Sequence, residues 1–266
     1  MLEPVLAVRS LGKSFPIHGG WLRRETSRID AVRDVTWSLA NGQTLGLVGE
    51  SGCGKSTLAK LCVGLLSPTA GEVLVAGQHL ARLRGAALRA ARRIVQMVFQ
   101  DPTTSLNPRM TVGEMLNEPL LIHRLAPGRA ARRRRVAELL ELVQLPAGYA
   151  GRLPRELSGG ERQRVGIARA LAVEPAVLIC DEPVASLDVS VGARILELLR
   201  SLRRRLGMAV LFISHDLGMV ASLCERTAVM REGRLVELAP TEQLLTHPAH
   251  PYTQLLIRAS ALDLDA

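Results

Sequence analysis

At 266 residues, 47% hydrophobic and only 3% aromatic, the chain is long enough to bury a sizeable core made mostly of Leu, Val, Ile and Ala. Its apolar runs fall short of the roughly 18 residues a membrane-spanning helix needs, and its opening MLEPVLAV lacks the basic-then-apolar pattern of a signal peptide, so neither is expected. The net charge of +9 invites a nucleic-acid partner, but only three residues are Lys and the Arg residues alternate with Ala and Leu, as on solvated helix faces; without an RNP-like aromatic pattern or a paired Cys/His module, no nucleic-acid partner is expected.

Strand-like runs at 5–9, 36–39, 45–48 and 73–75 dominate the start of the chain, parted by turn signals such as Asn41-Gly42 and Ala76-Gly77. Past Gly54 the pattern turns helical toward Leu65, and 94–99 reads as a buried strand ending in Gln100-Asp101-Pro102. From about Pro102 to Ala172, apolar residues recur at i, i+3, i+4 within 112–121, 136–143 and 165–171, which predicts a mostly helical insert with Arg132 to Arg135 as a solvated face. Strands return at 177–180, 210–214, 227–230 and 234–238 around a helix at 191–206. Strands alternating with helices predict an α/β fold with a largely parallel sheet. The tail from Thr241 reads as a helix and a loosely ordered end. Cys53, Cys62, Cys180 and Cys224 lie far apart with no C-x-x-C, which fits reduced thiols, not a disulfide frame or a zinc site.

Gly49-Glu50-Ser51-Gly52-Cys53-Gly54-Lys55-Ser56 fits the phosphate-loop pattern G-x-x-x-x-G-K-[ST] in full, with a strand before it and a helix, opening on Ser56-Thr57, after it. The glycines let backbone N–H groups turn inward around phosphate oxygens, and the helix N-terminus adds the positive end of its dipole. Lys55 suits the β- and γ-phosphates of ATP, and the Ser56 hydroxyl is a hard oxygen for Mg2+. The apolar strand at 177–180 ends in Asp181-Glu182, and carboxylates at the end of a buried strand need a cation or a proton. Asp181 fits a Mg2+ partner through water and Glu182 a general base; alone, the pair also reads as two acids capping a loop. Ser158-Gly159-Gly160-Glu161 stands before an amphipathic helix at 162–171. Ser158 is a good N-cap, and the two glycines clear space for a group to approach that helix end. The chain thus carries two phosphate-ready helix starts where a simple kinase needs one. His215 at a strand exit suits a γ-phosphate or water contact, or is a polar terminus; Gln100 also reads as a simple cap.

Together and in this order, these residues resemble the ATP-binding subunits of ABC transporters, over nearly the whole chain. The resemblance implies an α/β P-loop NTPase of ABC type, a RecA-like core with a mostly parallel sheet plus an antiparallel β subdomain and a helical insert. It divides the chain into 1–100, the first part of the ATP-binding core with the β subdomain; 101–172, the helical signature subdomain; 173–240, the second part of the core; and 241–266, a tail. The loop from Gly49 to Thr57 then looks like Walker A, Gln100 like the Q-loop glutamine that joins Ser56 and Asp181 at the metal, and Ser158 to Glu161 like the signature that faces a partner's ATP. Asp181 and Glu182 look like Walker B and the catalytic base, Ser186-Leu187-Asp188 like the D-loop, and His215 like the switch histidine. Phe15 sits where the family stacks an aromatic ring on adenine; by itself it also reads as an ordinary core Phe.

Asp101 to Arg109, Glu182 to Ser190 and His250-Pro251-Tyr252-Thr253-Gln254 resemble the peptide and nickel importer ATPases more closely, and the stretch 16–30 resembles the second ATPase of those systems. That resemblance implies ATP and Mg2+ as ligands, and hydrolysis coupled to closure of a dimer. It also implies a second ATPase subunit (non-identical, with a homodimer open), two transmembrane permeases, an extracytoplasmic substrate-binding protein, and a peripheral place on the cytoplasmic face of the inner membrane. The segment 103–107 is the expected permease contact. Glu161 stands where the family usually has Gln, which is expected to weaken the signature's contacts; the short tail predicts no iron–sulfur site. A soluble ABC-type ATPase of a non-transport, phosphonate-metabolism-like assembly and a P-loop kinase are the competing readings.

Overall fold

The computed structural model describes residues 3–19, 24–101 and 105–262. Strands β1 (Pro4–Gly19) and β2 (Arg24–Ala40) form a long antiparallel hairpin, and the chain then leaves it for β3 (Thr44–Val48) and helix α1 (Lys55–Cys62). It returns through β4 (Ala70–Val75), antiparallel to β1, and β5 (Gln78–His79), completing a four-stranded antiparallel sheet in the order β2-β1-β4-β5. Helix α2 (Gly85–Ile94) leads into β6 (Val95–Val98). Three helices follow: α3 (Val112–Ile122), α4 (Arg129–Leu142) and α5 (Gly159–Leu171). The last part alternates: β7 (Val177–Asp181), α6 (Val189–Leu206), β8 (Ala209–Ile213), α7 (Leu217–Leu223), β9 (Arg226–Arg231), β10 (Arg234–Pro240), α8 (Thr241–Thr246) and α9 (Pro251–Leu262).

The second sheet has the order β10-β9-β3-β8-β7-β6 and is parallel except for the β9–β10 hairpin at its edge. Every residue of β3, β7 and β8 is buried, as a parallel sheet covered on both faces requires. The pleat splits the apolar residues between two cores. Leu178, Cys180, Val210 and Phe212 face the core shared with α3 to α7, whereas Val177, Ile179, Leu211 and Ile213 face the core shared with α1 and the antiparallel sheet.

The observed elements depart from the pattern at several places. The hairpin runs from Pro4↔Ala40 to Gly19↔Arg24, far beyond the expected 5–9 and 36–39. Toward its far end Pro16, Ile17, Ser27, Arg28 and Ile29 are exposed, so no alternation marks that stretch. Ile94 closes α2, whose apolar residues Ala87, Leu88, Ala91 and Ile94 recur at helical spacing although only Ala91 is fully buried. Helix α4 begins at Arg129, not at Val136; of its arginine run Arg133 and Arg134 are exposed, whereas Arg132 and Arg135, one turn before the buried Val136 and Leu139, are half-buried. All four cysteines are free and buried. Among the described residues no helix is long and apolar enough to cross a membrane. Of the expected permease segment, Thr103 and Thr104 lie outside the described residues.

Candidate active site

Because β3, β6, β7 and β8 run parallel, their carboxyl ends open on one edge of the sheet, where loops leaving separate strands meet. The loop after β3 carries the phosphate-loop residues. Two of its glycines are demanded by space: a Cβ on Gly49 would fall 2.1 Å from the Met230 carbonyl oxygen, and one on Gly54 would fall 2.1 Å from that of Ala31. Gly54 also holds φ +113, open to glycine at little strain. Lys55 is 4% exposed, and its Nζ donates to the carbonyls of Gly49 (2.6 Å) and Glu50 (2.9 Å). The Cys53 Sγ lies 4.0 Å from that ammonium, and burial raises its thiol pKa.

The loop after β7 supplies the acids. The Ser56 hydroxyl donates to Asp181 Oδ1 at 3.1 Å, tying the start of α1 to the end of β7 across 125 residues of sequence. Asp181 is 4% exposed, and burial lifts its carboxyl above the ordinary range while the Ser56 hydrogen bond pulls the other way. A hydroxyl and a desolvated carboxylate form a hard-oxygen pair, the donor chemistry that suits Mg2+. Glu182 has φ +45, a left-handed backbone that glutamate seldom adopts, and its N–H donates to the Ile213 carbonyl. Its Oε2 accepts from Gln100 Nε2 at 3.1 Å and lies 3.6 Å from Nδ1 of His215, whose ring is 63% exposed. Gln100 follows β6 and His215 follows β8, so the three flanking strands each bring one of these groups to the same place.

A cavity of about 200 Å3 lies between the two loops, lined by Ser51, Gly52, Gly54, Lys55, Ser56, Thr57, Gln100 and Glu182, with Ala31 of β2 closing one side. Phe15 pairs with Ile29 on the same hairpin. Its ring is half-buried, carries the Lys13 ammonium 5.1 Å from its centroid and joins neither core, which removes the core-Phe alternative.

Ser158 is the N-cap of α5: its Oγ accepts from the Glu161 N–H (3.3 Å), and Glu161 Oε2 accepts from the Ser158 N–H (2.7 Å). Tyr149 donates its hydroxyl to the other carboxylate oxygen at 2.8 Å. The backbone N–H of Ser158 is the chief cause of a lowered Glu161 pKa, with burial opposing it. The acid expected to weaken the signature's contacts is engaged on both oxygens within its own chain. A Cβ on Gly160 would lie 2.5 Å from Val191 and one on Gly159 3.2 Å from Leu187, so the two glycines also let the 187–191 segment of the same molecule pack against this helix end.

Tyr252 escaped the sequence reading as a site residue. Its hydroxyl accepts the Glu50 N–H at 3.3 Å, joining the tail to the phosphate loop across 202 residues. The His250-Pro251-Tyr252 motif was visible, but nothing in it points to a loop so distant.

A family model described as ABC transporter matches residues 32–185, and one described as oligopeptide/dipeptide transporter, C-terminal region, matches 236–263. The chain belongs to the ABC transporter ATP-binding family. This ABC-type ATPase is 49% identical over 260 residues to the probable peptide ABC transporter ATP-binding protein y4tS of Sinorhizobium fredii, covering 98% of this chain and 73% of that one. It is 48% identical over 257 residues to the glutathione import ATP-binding protein GsiA of Pectobacterium atrosepticum; the match takes in 97% of this chain but only 41% of GsiA's length. Among solved structures, a dimeric post-hydrolysis state of the ATP-binding cassette MJ0796 bound to ADP and Pi superposes with a TM-score of 0.78 at 30% identity, over 89% of this chain and 98% of that one.

Proposed function

We propose that this ABC ATPase energises the import of small peptides, working as one of two ATP-binding subunits beneath two permeases fed by an extracytoplasmic substrate-binding protein. Peptide cargo is supported by the C-terminal match at 236–263 and by the peptide and glutathione importer names of the relatives above; nickel rests on motif resemblance alone. The absence of a membrane-crossing helix among the described residues fits a peripheral subunit held on the cytoplasmic face by its permeases. The division into a core at 1–100 and 173–240, a helical part at 101–172 and a tail from 241 follows the same reading.

In this proposal Gly49 to Thr57 cradle the triphosphate of ATP. The Lys55 ammonium, which donates to two neutral carbonyls of its own loop, would find stronger acceptors in phosphate oxygens. Ser56 and Asp181, with Gln100 beside them, would hold Mg2+, which when bound offsets charge on the phosphates. Glu182 takes a proton from water as the water oxygen bonds to the γ-phosphorus and the bond to the β-phosphate oxygen breaks, releasing ADP and phosphate. Gln100 and His215 orient that carboxylate and sense the γ-phosphate. Phe15 stacks on adenine. Ser158, Gly159, Gly160 and Glu161 face the nucleotide of the partner subunit, non-identical by the reading of 16–30, and closure of the pair drives the permeases.

The observation that carries the reading is that Lys55, Ser56 and Glu182 line one cavity while the Ser56 hydroxyl, on that lining, donates to Asp181. Co-expression with candidate peptide-importer permeases, followed by ATPase assay in vesicles with and without binding protein and peptide, tests it. Peptide-stimulated hydrolysis supports import; ATP hydrolysis with no permease co-purifying would favour a soluble, non-transport assembly.

A further inference from the structure

Three backbone positions of the phosphate loop are held by residues that do not line the nucleotide cavity: Met230, Gly233 and Tyr252. Glu50 and Cys53 are absent from the cavity's lining. The Cys53 carbonyl accepts from the Gly233 N–H at 2.9 Å, at the turn between β9 and β10. Gly49 packs on the Met230 carbonyl, and the Glu50 N–H goes to the hydroxyl of Tyr252. The tail is itself built to hold that hydroxyl still. Glu237 on β10 accepts the N–H groups of Ala249 (2.9 Å) and His250 (3.0 Å), and His250 Nδ1 accepts the Tyr252 N–H (3.1 Å). These bonds anchor the first turn of α9, with Pro251 opening the helix where no N–H is needed. The tyrosine is 5% exposed, and the Arg231 guanidinium lies 4.8 Å over its ring centroid.

We infer that Tyr252 is a positioning residue for ATP binding: its hydroxyl fixes the Glu50 peptide, and with it the curve of the phosphate loop, before nucleotide arrives. The His-Pro-Tyr sequence at 250–252 is thereby the mount of a strut between the tail and the nucleotide site. Loss of the acceptor of this part-buried bond lets the loop sample other curves, so part of the binding free energy would go to ordering it. The inference rests on the reading of Gly49 to Thr57 as the nucleotide loop.

Tyr252→Phe in the full chain removes one oxygen and keeps the packed ring. Binding of Mg-ATP, followed with a fluorescent ATP analogue and competed by ATP, should weaken about three- to tenfold, the worth of one neutral hydrogen bond. Amide exchange at Glu50 in the nucleotide-free protein should quicken, while exchange in the strands of the parallel sheet stays as it was. An unchanged dissociation constant or an unchanged Glu50 exchange rate overturns the inference. Failure of the parent chain to bind Mg-ATP would instead sink the assignment of the loop. Should the variant not fold, the parent decides: a Glu50 amide slower than an open loop supports the strut, and one exchanging at the open-loop rate overturns it.

Discussion

Asp181 illustrates how a binding residue sits at odds with the stability of its own fold. It is nearly buried, its one hydrogen-bond donor among the described contacts is Ser56, and burial raises its carboxyl pKa. A raised acid favours folding in the protonated form, so that stability is present below the ordinary carboxylate range and is lost as pH rises through the raised value. At neutral pH the charge weighs against the nucleotide-free chain. Asp181→Asn removes it and keeps an acceptor for Ser56, and calorimetry should find the nucleotide-free variant melting roughly 2–4 °C higher, with Mg-dependent ATP stabilisation lost. Glu182→Gln keeps the hydrogen-bonding shape toward Gln100 but cannot take up a proton. Steady-state assays should show turnover of this site reduced roughly a hundredfold or more with ATP affinity retained; near-normal turnover in a reconstituted complex whose partner site is disabled would refute the base assignment.

At the scale of elements, caps and loops were legible where their chemistry is local. Ser158 reads as an N-cap because its side chain and Glu161 satisfy each other within one turn, and the capping box at Thr111 and Glu114 follows the same rule. The engagement of Glu161 predicts that Glu161→Gln, which retains an acceptor at that position, changes stability little, whereas Glu161→Ala costs about 1 kcal/mol in urea unfolding. Elements without a local signature were missed. Residues 16–17 and 27–29 of the β1–β2 hairpin are exposed on both faces, so no alternation is written there, and the helical spacing of Ala87, Leu88, Ala91 and Ile94 in α2 is a faint signal in so short an Ala- and Arg-rich run. The glycines at 159 and 160 stand out in the sequence, but their neighbours Leu187 and Val191 come from another element, and this packing is written in no short stretch of chain.

Across the whole molecule, binding of ATP at the edge of the parallel sheet should stabilise every element that contributes to it. At a hundred times its dissociation constant, Mg-ATP should add about 2.7 kcal/mol and raise the melting temperature by roughly 5–10 °C. Lys55→Ala should abolish that gain in a thermal-shift experiment; a gain that survives would place the nucleotide elsewhere. The sequence by itself determined the strand–loop–helix unit at Gly49 to Thr57, the acid pair ending β7 and the cap of α5, because each depends on bonds between near neighbours in the chain. Only the tertiary structure decided that Gln100, Glu182 and His215 meet, that Ser56 reaches Asp181 and that Tyr252 holds Glu50. Those meetings follow from strand order β3-β8-β7-β6 and from where the tail packs, and strand order is set by which apolar faces bury one another, a choice no short stretch of sequence contains.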